Sequence, residues 1–96
     1  MNKIETSKGV LKYRNPSIIE TISLIKILRK SLSDDDLIEA KLSIMENIDK
    51  LLDYSEMTEI NSFEELNKHG EEMTGVLYTV ADDILNKIVG AFAKKT

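Results

Sequence analysis

Three serines divide this chain. Ser17 stands three residues before Glu20, and Ser62 stands three residues before Glu65. That spacing is a capping box, in which the hydroxyl and the carboxylate each accept a backbone N–H at a helix start. Ser33 precedes Asp34, Asp35 and Asp36, acids that the positive end of a helix dipole favours. Behind these starts lie apolar residues at three- and four-residue spacing. Helices are therefore expected over residues 17–32, 34–54, 62–69 and 71–93, the third closing near His69-Gly70 with Gly as its C-terminal cap. His69 is read as sitting beside that negative helix end in a structural role.

Residues 3–14 read instead as a β-hairpin. With Lys8-Gly9 as its two-residue turn, Thr6 pairs with Leu11, Glu5 with Lys12 and Ile4 with Tyr13. Ile4, Thr6, Leu11 and Tyr13 then share one face, which needs a helical layer beneath it. Asn15-Pro16-Ser17 ends the hairpin and opens the first helix. The fold class expected is mainly α: a bundle of three to four helices with an N-terminal hairpin packed on it. At 96 residues the whole chain is expected to be one domain.

The apolar stripes define the expected core. The first helix contributes Ile18, Ile22, Leu24, Ile25, Leu28 and Leu32, leaving Ile19 and Ile27 off the stripe. The second contributes Leu37, Ile44, Ile48, Leu51 and Leu52. In the last helix Met73, Val76, Leu77, Val80, Ile84, Ile88 and Ala91 form an inner stripe. Tyr78, Ala81, Leu85, Val89 and Phe92 widen that arc beyond what a one-sided surface helix needs. Either two neighbours bury it within the chain, or Tyr78, Leu85, Val89 and Phe92 form a second seam for another molecule. Gly75 and Gly90 either weaken this helix locally or admit a close neighbour.

Charge adds a second asymmetry. Residues 1–32 carry seven Lys and Arg against two acids, and residues 33–96 carry six against fifteen, so a net charge of −4 divides into +5 and −9. The two parts either attract each other within one fold or present a bipolar surface to copies or partners. Lys8, Lys12, Arg14, Lys26, Arg29 and Lys30 face a surplus of acid, and no helix-turn-helix spacing is present, so nucleic acid is not an expected partner.

Catalytic chemistry is hard to build from this sequence. There is no Cys and one His, which removes thiolate metal sites, disulfides and His-based relays. No phosphate loop, metalloprotease helix or serine nucleophile elbow occurs. Neighbouring acids such as Asp82-Asp83 point to different sides of a helix and cannot share a proton. No enzyme activity, cofactor or metal is expected. No apolar run approaches a membrane span, and a soluble cytoplasmic location without membrane contact is expected.

Both ends of the chain resemble the tail assembly chaperones of long-tailed bacteriophages. The likeness rests on the hairpin Ile4-Glu5-Thr6-Ser7-Lys8-Gly9-Val10-Leu11-Lys12-Tyr13-Arg14 running into a helix through Asn15-Pro16-Ser17, with Glu20 behind it. It continues in Ser62-Phe63-Glu64-Glu65-Leu66, Glu71-Glu72-Met73 and the segment Val76 to Leu85, and leaves out residues 33–60. The resemblance implies a small helical protein that binds the aggregation-prone tape measure protein and recruits major tail protein subunits. Residues expected to bind protein, or to mediate a homo-oligomer, are Ile19, Ile27, Tyr78, Leu85, Val89 and Phe92. The rival expectation is an acidic helical inhibitor of immunity type, neutralising a basic partner through Asp34–Asp36, Glu64 and Glu65.

Overall fold

Ser17 Oγ accepts the N–H of Glu20 at 3.2 Å, and the Glu20 carboxylate accepts the N–H of Ser17 at 2.9 Å. This reciprocal cap starts helix α1 (Ile18–Ser33). The computed structural model describes residues 2–93, with side chains through residue 91. Ahead of α1 stand strands β1 (Asn2–Thr6) and β2 (Gly9–Tyr13). Behind it come α2 (Leu37–Glu46), one 3-10 turn (Asp49–Leu51), β3 (Leu52–Asp53), α3 (Phe63–Leu66) and α4 (Gly70–Ala93). The result is a mainly helical protein with an N-terminal antiparallel sheet packed against the helices.

The hairpin keeps its expected faces but not its expected register. Thr6 pairs with Gly9, Ile4 with Leu11 and Asn2 with Tyr13, so the turn is Ser7-Lys8. A shift of two residues in partner leaves every side chain on its original face. Gly9 is needed for a different reason. At φ +107 it forms a bridge with Met57, and a Cβ there would meet the Glu56 carbonyl oxygen at 2.4 Å. The expected Glu5–Lys12 charge pair is accordingly replaced by an ion pair between Lys12 and Glu56.

The Asp run caps the second helix differently from expectation. Ser33 is the last residue of α1, and Asp36 is the N-cap of α2, its Oδ1 accepting the N–H of Glu39 at 3.1 Å. Asp35 takes φ +55 in the left-handed region. The N–H of Asp36 donates to Ser31 O and that of Asp35 to Leu32 O, which makes the α1–α2 turn a Schellman motif with Asp at the usual Gly position.

Helix α2 ends at Glu46, eight residues before the expected Tyr54. Asn47 closes it by donating from Nδ2 to Ser43 O at 2.7 Å and from its N–H to Ile44 O at 2.8 Å. The apolar residues Ile48, Leu51 and Leu52 belong to a turn and a strand, a pattern that helical spacing over a short run cannot distinguish. β3 pairs with β2, placing Asp53 opposite Lys12. The hydrogen bonds of Val10 to Glu56 O and of Thr58 to Lys8 O tie the next residues to the hairpin as well.

The sheet lies along α4. Ser7 donates to the Glu72 carboxylate, the Tyr13 hydroxyl donates to Asp83 Oδ2 at 2.9 Å, and Lys87 Nζ donates to Asn15 Oδ1 at 2.6 Å. Burial first, and the Asp83 contact second, push the Tyr13 hydroxyl up to about 12. α2 takes another flank of α4: Lys41 pairs with Asp82 at 2.9 Å and lies 5.1 Å from the Tyr78 ring centroid. Met73, Leu77, Val80, Ile84, Leu85 and Ile88 of α4 and Ile44 of α2 are buried in one common core. Ala91, expected on this inner stripe, is exposed. No heavy atom lies within 4 Å of a Cβ built at Gly75, so no close neighbour requires that glycine.

A candidate binding surface on the first helix

Among the described residues α1 packs chiefly against α2, with residues 47–51 across a groove from Ile19 and Ile27, and Ile88 and Ala91 of α4 across another from Thr21. The hairpin was the natural cover for a second face of α1, and it is committed to α4 by Ser7, Tyr13 and Asn15. Leu24, Leu28 and Ser31 turn inward, while Ile18 is 80% exposed, Ile19 72%, Ile22 44% and Ile27 48%. Ile18 and Ile22 belong to the stripe expected in the core. The structure corrects that reading: among the described residues, nothing buries either side chain. Leu37, also expected in the core, is exposed near the start of α2.

At 100° per residue, Ile18 and Ile22 share one outward face with Arg29, while Ile19 and Ile27 lie toward the opposite wall. Ile19 and Ile27 line a groove of about 430 Å³ whose other wall is Asn47, Asp49 and Lys50, with the buried Leu24 and Leu51 beneath. A second groove, of about 550 Å³, runs between α2, α3 and α4 and is lined by Leu42, Met45, Phe63, Met73 and Leu77. Exposed Ile38 and Leu42 extend the apolar surface of α2.

The other expected contact residues part company. Leu85 is 3% exposed and belongs to the core, on the flank of α4 that α2 takes. Tyr78 is half-buried beneath Lys41. Val89 is 47% exposed and remains on the surface. Phe92 lies outside the residues whose side chains are described. The four therefore do not form one free seam, and Ile19 and Ile27 are the pair that the fold brings together.

Charge distributes in a related way. Lys8 pairs with Glu59 at 3.1 Å and Lys12 with Glu56, so these two hairpin cations are matched by the acidic remainder. Arg14 binds Glu20 through both guanidinium nitrogens, at 2.6 and 2.8 Å. Lys26, Arg29 and Lys30 of α1 are exposed and enter none of the ion pairs among the described residues. The apolar face of α1 is thus edged by unmatched positive charge.

Glu20 anchors the start of this surface. The Arg14 guanidinium, then the Ser17 N–H, hold its carboxyl down at about 2, from an ordinary value of 4.5. A carboxyl depressed in the folded state stabilises fully above its unfolded value and loses that contribution as pH falls through the folded one. The thermal midpoint should therefore fall between pH 4.5 and about 2. Glu20→Gln should lower the midpoint at neutral pH and flatten this part of the acid limb. An unchanged acid limb in that variant would remove Glu20 from the account.

No group of three or more His, Cys, Asp or Glu side chains converges to hold a metal among the described residues. Nor is any helix there long and apolar enough to cross a membrane. No family model, curated protein or solved structure matches the chain.

Proposed function

We propose that this chain is a non-catalytic binding protein that holds an amphipathic segment of a partner on the outward face of α1. The observation that carries the proposal is the exposure of four isoleucines on one sixteen-residue helix. Burying an aliphatic side chain of this size contributes about 1.5–3 kcal/mol. Ile18 and Ile22 on the outward face therefore offer a substantial gross gain to a segment that covers them, and Ile19 and Ile27 offer a second site in the adjoining groove. Lys26, Arg29 and Lys30 select among such segments, favouring one whose apolar stripe is edged by Asp or Glu.

The resemblance to tail assembly chaperones supplies the specific partner. In that reading α1 covers apolar segments of the tape measure protein until assembly, and major tail protein subunits are recruited to the complex. The acidic-inhibitor reading draws less support. Asp35 and Asp36 form the α1–α2 turn and cap, and Glu65 accepts the N–H of Asn61, so these acids have structural roles.

Titration calorimetry with a tape measure protein of a long-tailed bacteriophage tests the proposal. The wild type should bind, and Ile18→Ser with Ile22→Ser should weaken binding by about 30-fold or more, on the scale of two lost aliphatic contacts. The thermal midpoint of that variant should stay near the wild-type value, because both residues are exposed. Absence of wild-type binding would overturn the tape measure assignment. Unchanged affinity in the variant would overturn the role of α1. Affinity that collapses with salt but ignores the isoleucines would favour the acidic inhibitor.

A further inference from the structure

β1 is an outer strand of the sheet, whose order is β1-β2-β3. The amides of Val10 and Arg14 point toward the β3 side, donating to Glu56 O and Leu51 O at 3.0 Å each. Alternation along β2 turns Gly9, Leu11 and Tyr13 toward β1, where they meet Thr6, Ile4 and Asn2. The N–H and C=O groups of Lys3 and Glu5 therefore face away from the sheet. Ser7 is next in this outward series, and its N–H is taken by the Glu72 carboxylate at 2.9 Å, which closes the edge at that end.

The side chains at the open stretch are as unmatched as its backbone. Lys3 and Glu5 are exposed and enter none of the ion pairs among the described residues. Lys3 also stands directly opposite Lys12, a like charge that is already matched by Glu56.

We infer that β1 is a self-pairing edge, joining two copies of this chain antiparallel about an axis at Ile4. In that register Lys3 lies opposite Glu5 of the second copy, and Glu5 opposite Lys3 of the second copy. Both are outward-facing residues, so each pair exchanges two backbone hydrogen bonds, and each also forms an ion pair across the new ladder. Half-buried Ile4 meets its counterpart at the axis. A slip of two residues one way places Lys3 against Lys3. A slip the other way places Glu5 against Glu5 and brings in Ser7, whose N–H is occupied. The charge pattern thus selects one register. A single five-residue strand makes a contact below the standard interface size, so the dimer is weak and forms at high local concentration. α1 takes no part in it, so this inference stands apart from the client-binding proposal.

Sedimentation velocity from micromolar to millimolar protein provides the test. The wild type should rise in average mass from one chain toward two. Lys3→Glu and Glu5→Lys should each weaken association about tenfold, because each makes the facing pairs like-charged. Lys3→Glu combined with Glu5→Lys should restore the wild-type concentration dependence. Helical circular dichroism should be the same in all four proteins. A wild type that stays monomeric to millimolar concentration overturns the inference. So does a dimer indifferent to the single swaps, or one that the double swap fails to restore.

Discussion

Leu85→Ser should be the most damaging of the substitutions considered, lowering stability by about 3–5 kcal/mol. Leu85 is 3% exposed in the flank of α4 that α2 covers, so truncation removes apolar burial and leaves a hydroxyl in its place. A domain of this length has roughly 5–14 kcal/mol in total, so the variant is left marginal or unfolded at ambient temperature. Val89, four residues further along the same helix, is 47% exposed, and Val89→Ser should cost under about 1 kcal/mol. Urea unfolding followed by helical circular dichroism separates the two. A wild-type midpoint for Leu85→Ser would mean that α2 does not close this flank, and that the apolar arc of α4 is open to a partner after all.

The second large effect is expected at Gly9. Gly9→Ala forces an L side chain to φ +107, with its Cβ 2.4 Å from the Glu56 carbonyl oxygen and 3.0 Å from Met57 Cα. Both neighbours are backbone, so neither gives way by rotating a side chain. Strain of this kind costs about 1–3 kcal/mol. If the strand moves to relieve it, the Val10 to Glu56 hydrogen bond is lost at a further cost of about 1 kcal/mol. The expected signature is a lowered thermal midpoint with faster hydrogen exchange at Val10 and Thr58, whose amides hold residues 51–58 to the hairpin. Retention of wild-type exchange at both amides would contradict the close packing of Gly9 on Glu56.

Features carried by neighbouring residues were legible in the sequence. The Ser17–Glu20 cap, the Ser62 start, the long last helix and the two faces of the hairpin all follow from spacing alone. What failed depended on distant partners. Ser7-Lys8 and Lys8-Gly9 are both two-residue turns that preserve the same faces, and the choice between them is made by Glu56 and Met57. Ile44, Ile48 and Leu51 read as one helical stripe, yet Asn47 ends the helix and β2 recruits the next residues as a strand. The most consequential miss was the cover of α1. Its apolar residues, from Ile18, Ile19 and Ile22 through Ile27 to Leu32, occupy almost the whole circumference of the helix. A helix of that kind needs neighbours on every side. Which helix the sheet covers is set by contacts far apart in the chain, those of Ser7 with Glu72, Tyr13 with Asp83 and Asn15 with Lys87.

The proposed function requires α1 to be bare in the free protein and covered in the complex. Its most direct test is a methyl spectrum of isoleucine-labelled protein titrated with the tape measure protein. Ile18 and Ile22 report the outward face of α1, Ile19 and Ile27 the adjoining groove, and Ile44, Ile84 and Ile88 the core. The Ile18 and Ile22 methyl signals should shift or broaden first, with the Ile19 and Ile27 signals following and the three core signals holding their positions. Perturbation confined to other residues, with those four signals unmoved at saturation, would contradict the proposed function.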